Sequence, residues 1–342
     1  MRSPLRAVIV VALSAALLVL FLYNVDLRGV ARQIVHADPA WLMLSLLTMF
    51  VNLALRAWRW QYLLEPLGVV GFGSSFRATA VGFAASNILP FRAGEVIRPY
   101  FLARQEKISA TGAFATIILE RVLDMLAVLT LLAIYVIVFA PATTEHNRLE
   151  FEAVKVAGLV AAAAAVFAVI VMVVLAGNPA RLSTALARLE AVLPSTLAGL
   201  LARVAEKFVI GLGAVRRPGR FLVALALSFP LWLSIAAGVW AGAMAFHLNV
   251  PFVGSFLILA PLVVGVAVPT PGGVGGFHAM FRFAVTTFFD APDDAAVGAA
   301  IVLHLMTVAP TLLLGLVFAA QEGLNVAGMR TLAAQADNEG TA

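Results

Sequence analysis

Between Asn87 and Asp124 the chain reads NILPFRAGEVIRPYFLARQEKISATGAFATIILERVLD, and no other stretch limits the fold as strongly. It sets Arg92, Glu95, Arg98, Glu120, Arg121 and Asp124 within or beside segments that otherwise read as lipid-embedded helix. An ionisable side chain at bilayer depth costs about 2.5–3.5 kcal/mol on insertion scales, so such residues mark a functional site by default. Pro90 and Gly94 break the helical pattern where these charges begin. Broken backbone at that depth survives only where protein buries it or where it lines a wet cavity.

The rest of the chain supports a membrane setting. Apolar residues make up 62% of the sequence and charged residues 12%, with a mean hydropathy of +1.00. No ordinary soluble domain approaches these values. The 342 residues leave room for roughly six to eight helical spans of ~20 residues. A pI near 10.1 would suit nucleic acid, but the basic residues lie between apolar spans, where membrane orientation explains them. Cysteine is absent, which excludes disulfides, thiolate nucleophiles and cysteine metal sites. No cofactor, metal or nucleic acid is expected.

Taken in order, Met1–Tyr23 has a short basic start and an apolar run with no small-residue cleavage site, so it reads as an uncleaved first span. A polar amphipathic segment, Asn24–Pro39, leads to a second span, Trp41–Leu64. That span closes in RAWRW, where Arg56 and Arg59 among Trp58 and Trp60 fit an interfacial belt. Ser75–Lys107 reads as a re-entrant hairpin turning at LPFRAG, because a full crossing would carry Arg98, Arg104 and Lys107 outward. Ala110–Phe139 is a long span on which Glu120 falls about 16 Å along the axis, near the midplane. Ala153–Ala176, Phe221–Phe246 and Ala295–Ala320 are further spans. Phe252–Phe289 repeats the broken form around PTPGGVGG. Residues 178–220 form a basic, amphipathic cytoplasmic segment, and residues 325–342 a loose polar tail.

The expected fold is therefore an all-α polytopic membrane protein, one domain over residues 1–324. It has about six full transmembrane helices and two re-entrant hairpins inserted from opposite sides. With both termini inside, the outer segments hold only Arg28, Arg32, Arg148 and Lys155, an asymmetry that matches the positive-inside tendency. Opposed hairpins meeting at the midplane are the usual plan of inverted-repeat transporters. The repeat stands here as a hypothesis, since the two halves share no clear identity.

Both breaker clusters release a helix N-terminus, after Gly94 and after Gly275, and such ends favour anions. Arg92 and Arg98 add fixed positive charge suited to bidentate phosphate contact. Gly272, Gly273, Gly275 and Gly276 allow close backbone approach. Glu120 and Asp124 share one helical face, and Arg121 reaches Asp124 at i+3. Two readings stay open: the charges neutralise one another and pin the hairpin, or they hold an anionic head group. His278 and His304 read as hydrogen-bonded core histidines or as ligand contacts.

LPFRAGEVIR, then ILERVLD, then PTPGGVGGFH resemble the signatures of the flippase-like, lysylphosphatidylglycerol synthase transmembrane-region family, and RAWRW fits as well. The resemblance runs from about Leu5 to Leu324. It implies that Arg92, Glu95 and Arg98 match a P-x-R-x-G-E-x-x-R element and that Glu120, Arg121 and Asp124 match E-R-x-x-D. Pro271, Gly272, Gly273 and Gly275 match the P-G-G-x-G turn. Many members carry Arg-Glu where this chain has Phe277-His278, a subgroup variant that weakens the case for a lysylated substrate. The soluble aminoacyl-transfer domain of the synthases does not follow the membrane region here, so synthesis of lysylphosphatidylglycerol by this chain is not expected.

The expected function is a lipid translocase of the bacterial inner membrane that moves or binds an anionic phospholipid or polyprenol-phosphate-linked lipid at a midplane site. It is transporter-like rather than enzymatic. A membrane-embedded transferase is the alternative, although its acids would have to come from Asp26 and Asp38 in a short first loop. A non-catalytic partner in envelope-lipid biosynthesis is a third reading. Self-association is left open.

Overall fold

The computed structural model describes residues 25–89, 92–139, 148–177, 210–215 and 217–323, with single positions between 12 and 22. Most of the expected first span, most of the 178–220 segment and the 325–342 tail lie outside the described residues. Ten α-helices order the described chain: α1 (Leu27–Val35), α2 (Pro39–Leu64), α3 (Phe72–Ile88), α4 (Gly94–Glu106) and α5 (Ala110–Ile134). They continue as α6 (Arg148–Gly177), α7 (Pro218–Ala245), α8 (Gly254–Ala267), α9 (Gly276–Phe289) and α10 (Asp293–Gln321). The described residues contain no strand. Among the described residues, five helices are long and apolar enough to cross a membrane: α2, α5, α6, α7 and α10. The protein is an all-α polytopic membrane protein.

Local sequence sets the helix starts. Asp26 accepts from the Arg28 amide at 3.0 Å to cap α1. Asp38 accepts from the Ala40 amide at 2.8 Å, and Pro39 takes the first turn of α2. Ser109 caps α5 through the Gly112 amide at 3.2 Å. These side chains satisfy amides that have no intrahelical partner. The ends are as local: α4 stops at Lys107 and α9 at Asp290, both left-handed. Tyr135–Phe139 extends α5 as one π-helical turn, so the segment ends where the hydropathy places it, at Phe139.

Beyond Lys155 α6 is apolar on every face and mostly exposed, with Leu159, Val160 and Phe167 uncovered. Such a helix faces lipid. α2 and α7 pack along their length, with Ser45 Oγ donating to Gly238 O at 2.9 Å and Asn52 Nδ2 to Leu231 O at 3.1 Å. Small residues and interhelical hydrogen bonds are the usual glue where apolar burial drives nothing.

α3 and α4 fold back on each other, and so do α8 and α9. In each hairpin two glycines cross with their backbones touching. A Cβ on Gly94 would lie 1.8 Å from Gly82 O, and one on Gly276 would lie 2.1 Å from Gly265 O. Gly94 and Gly276 are both the first residue of their returning helix. The hairpins also exchange partners. α3 packs on α10, the long helix that follows the second hairpin, while α8 packs on α5, which follows the first. The tips meet where Gly272 approaches Asn87, whose Nδ2 donates to Thr311 Oγ1 on α10 at 3.3 Å.

Candidate functional site: a buried arginine–carboxylate network

Glu120 and Asp124 stand one turn apart on α5 and face inward, with no exposure for Glu120 and 5% for Asp124. Arg98 of α4 donates from Nη1 to Glu120 Oε2 at 2.7 Å. Arg59 of α2 bridges both acids, from Nη1 to Asp124 Oδ1 at 2.7 Å and from Nη2 to Glu120 Oε1 at 3.4 Å. Its Nη1 also reaches Ser228 Oγ of α7 at 2.7 Å. Asp124 accepts in addition from Trp232 Nε1 at 3.0 Å and from Arg56 Nη1 at 3.5 Å, and it forms an ion pair with Arg121 Nη2 at 3.2 Å. Four helices thus meet on two carboxylates.

Above this sealed floor lies a half-open mouth. Glu95 Oε1 sits 3.0 Å from Arg92 Nη2 and 3.7 Å from Arg121 Nη1, and the three side chains are 32–40% exposed. Arg92 holds a left-handed backbone, φ 52°, a conformation that costs a non-glycine residue of order 1–3 kcal/mol and recurs at functional sites. Pro90, the other half of the expected breaker, lies outside the described residues.

Aromatic rings fix the guanidinium planes. Arg98 lies over the Trp60 ring at 3.8 Å, and Trp60 Nε1 is tied to Thr116 Oγ1 at 2.9 Å. Arg56 lies 5.5 Å from the Phe83 centroid. Gly82 lets α3 pass over Arg98, because a Cβ there would stand 2.7 Å from Arg98 Cβ. Even so, Arg56, Arg59, Arg98 and Arg121 leave their Nε donors buried without a partner, and Arg98 leaves Nη2 as well. Unpaired buried donors are costly and uncommon.

The structure brings all six charged candidates into this one network. It also corrects the reading of RAWRW. Arg59 and Trp60 have no exposure and Arg56 has 7%, so they are buried partners of the α5 acids; only Trp58, 51% exposed, suits a belt. Arg56, Arg59 and Arg98 therefore carry no weight as inner-loop charges. Arg56 and Arg59 were the functional candidates that sequence reasoning missed. Two acids at membrane depth need cations on a neighbouring helix, and Arg56 and Arg59, three apart, present both from one face. Trp232 and Ser228 carried no signal of their own.

The second breaker forms a separate structure. Gly272, Gly273 and Gly275 all take positive φ, 62°, 72° and 85°, which explains the glycines after Pro271. The Gly275 amide donates to His278 Nδ1 at 3.2 Å, and His304 Nε2 lies 2.8 Å from Gly272 O. The hydrogen bonds therefore assign a proton to Nε2 of each ring. The two imidazoles contact edge to face at 4.5 Å. Both histidines thus brace the turn between α8 and α9, His278 from α9 and His304 from α10. Among the described residues no hydrogen bond or ion pair joins them to the arginine network. Arg282 on α9 is bidentate to Asp293, at 2.6 Å from both Nε and Nη2.

A bundle of long apolar helices, two short helical hairpins and an arginine-rich network held among α2, α4, α5 and α7 define a multi-pass integral membrane protein with an internal polar site. Residues 7–315 match the family described as the lysylphosphatidylglycerol synthase TM region, and the chain belongs to that family. Membership ties it to membrane-lipid biology. A UPF0104 membrane protein of Methanothermobacter thermautotrophicus is 35% identical over 106 residues, 29% of this chain and 31% of the relative. A UPF0104 membrane protein of Methanocaldococcus jannaschii is 28% identical over 123 residues, 35% of this chain and 36% of that one. Each match spans about a third of the relative's length.

Proposed function

We propose that this chain is a lipid translocase of the inner (cytoplasmic) membrane of a bacterial cell, with both termini cytoplasmic. Its two hairpins re-enter the membrane from opposite sides. The head group of an anionic phospholipid or polyprenol-phosphate-linked lipid enters at Arg92, Glu95 and Arg121 and exchanges with the Glu95 carboxylate. The observation that carries this reading is the excess of guanidinium over carboxylate, with buried Arg98 donors left unpartnered. A network that served only to pin helices would close its own charges, since an unpaired buried cation is strongly destabilising. The exchange of hairpin partners between the halves supports an inverted repeat, the plan on which transporters build alternating access.

Asp26 and Asp38, the acids a transferase would need in the first loop, both serve as helix caps. That favours movement of lipid over chemistry on it. The test is mass spectrometry of lipids extracted from proteoliposomes of the purified protein after leaflet exchange has been scored. The expected result is redistribution of an anionic lipid with its mass unchanged. A new lipid species formed by the protein alone would establish the transferase reading in its place.

A further inference from the structure

We propose that the head group this site selects is a doubly charged phosphate of the phosphomonoester class, rather than the singly charged phosphodiester of ordinary phospholipids; this rests on the translocase reading above. Charge is the first ground. In the sealed floor Arg56, Arg59 and Arg98 face Glu120 and Asp124, which leaves one positive charge over. In the mouth Arg92 and Arg121 face Glu95, which leaves another. Glu65 and Asp293 do not offset this excess, because Arg220 and Arg282 already pair with them. A phosphodiester closes half of that excess. A phosphomonoester carries about −1.5 to −2 at pH 7 and closes nearly all of it.

Donor geometry is the second ground. Nε and Nη2 form one edge of the Arg98 guanidinium, and both are buried and unpartnered while Nη1 is engaged by Glu120. Trp60 beneath the plane holds that edge in place. Arg56, Arg59 and Arg121 each add an unpartnered Nε. A phosphomonoester offers three terminal oxygens as strong acceptors, whereas esterification of a second oxygen leaves a diester with two. Arginine forks are the usual match for such a group. The Arg98 edge is closed to solvent in this conformation, so the phosphate meets the mouth first and the floor only after α3 and α4 shift against α5.

The experiment is calorimetric titration of the full chain in neutral detergent with four probes: dioctanoyl phosphatidic acid, dioctanoyl phosphatidylglycerol, dioctanoyl phosphatidylcholine and inorganic phosphate. At pH 8 phosphatidic acid should bind about tenfold more tightly than phosphatidylglycerol, a difference of about 1.4 kcal/mol. Phosphatidylcholine should show no saturable binding. At pH 5, below a second phosphate pKa of about 6, the preference should vanish. Arg92→Gln removes one half-exposed charge and should shrink the preference to about threefold or less, by loss of one unit of the imbalance. Equal affinity for phosphatidic acid and phosphatidylglycerol at pH 8 overturns this inference and leaves the translocase reading standing. Three lipids bound alike overturn the translocase reading itself. Inorganic phosphate binding as tightly as phosphatidic acid overturns the assignment to a lipid. A preference unchanged in Arg92→Gln overturns the charge argument.

Discussion

Arg98 on α4 reaches Glu120 on α5 across 2.7 Å, and Glu120 has no exposure to solvent. This one contact ties the returning arm of the first hairpin to the helix that carries the network. It also joins the two roles the charges could have, since the pair pins the hairpin while the rest of the Arg98 fork stays unused.

Arg98→Leu should destabilise the folded protein by about 3–5 kcal/mol, because it leaves Glu120 buried with only the long Arg59 contact at 3.4 Å. Arg98→Leu combined with Glu120→Leu should recover most of that loss. Melting temperatures in one detergent, read as a double-mutant cycle, check the coupling. Additive effects would mean that the contact does not hold the hairpin.

Arg92 is strained and half exposed, so its removal should be structurally mild. Arg92→Gly relieves the left-handed backbone at φ 52° and loses an exposed ion pair worth about 0–1 kcal/mol. Its melting temperature should stay close to that of the parent, while binding of an anionic lipid falls. Matched melting and binding measurements on the one variant check both halves.

The first helices of the hairpins reached the page from sequence alone, as did the start of α5 at Ala110 and its end at Phe139. Hydropathy and breaker residues act locally, and a membrane enforces them strictly. The grouping of Arg92, Glu95, Arg98, Glu120, Arg121 and Asp124 was legible because charge at depth demands partners. Arg56 and Arg59 were not, since a basic residue among tryptophans at a span's end looks the same on a membrane surface and inside a bundle. Only the packing of α2 against α5 and α7 separates the two cases. The crossing of Gly82 by Gly94, and of Gly265 by Gly276, was also hidden, because glycine in an apolar helix does not announce what it touches.

Those crossings give a steric prediction. Gly94→Ala and Gly276→Ala would each place a methyl group against a backbone carbonyl, at 1.8 Å and 2.1 Å, with no flexible side chain to yield. Each should cost about 1–3 kcal/mol or more by overpacking. Gly73→Ala in α3 meets nothing within 4 Å and should be neutral or slightly stabilising. Thermal melts of the three variants test the contrast.

Sidedness has its own test, made simple by the absence of native cysteine. Cysteines placed at Arg104 and at Pro292, both exposed, should react with an impermeant reagent from the inner and the outer side respectively. Outer labelling at Arg104 would make α3 and α4 a true crossing and remove the basis for opposed hairpins.

The most direct test of the site is the rate at which an anionic phospholipid exchanges between leaflets of proteoliposomes containing the parent protein or Arg92→Ala, with the fold of each checked by melting. The parent should accelerate exchange. Arg92→Ala should lose it by at least about tenfold, the worth of one charge-assisted contact near 1.4 kcal/mol, while melting normally. Arg92→Lys should restore part of the rate, because an ammonium keeps the charge without the planar fork. Exchange by Arg92→Ala at the parent rate, or a rate lost only with the fold and regained with it on adding Glu95→Gln, would contradict a head-group site in the network.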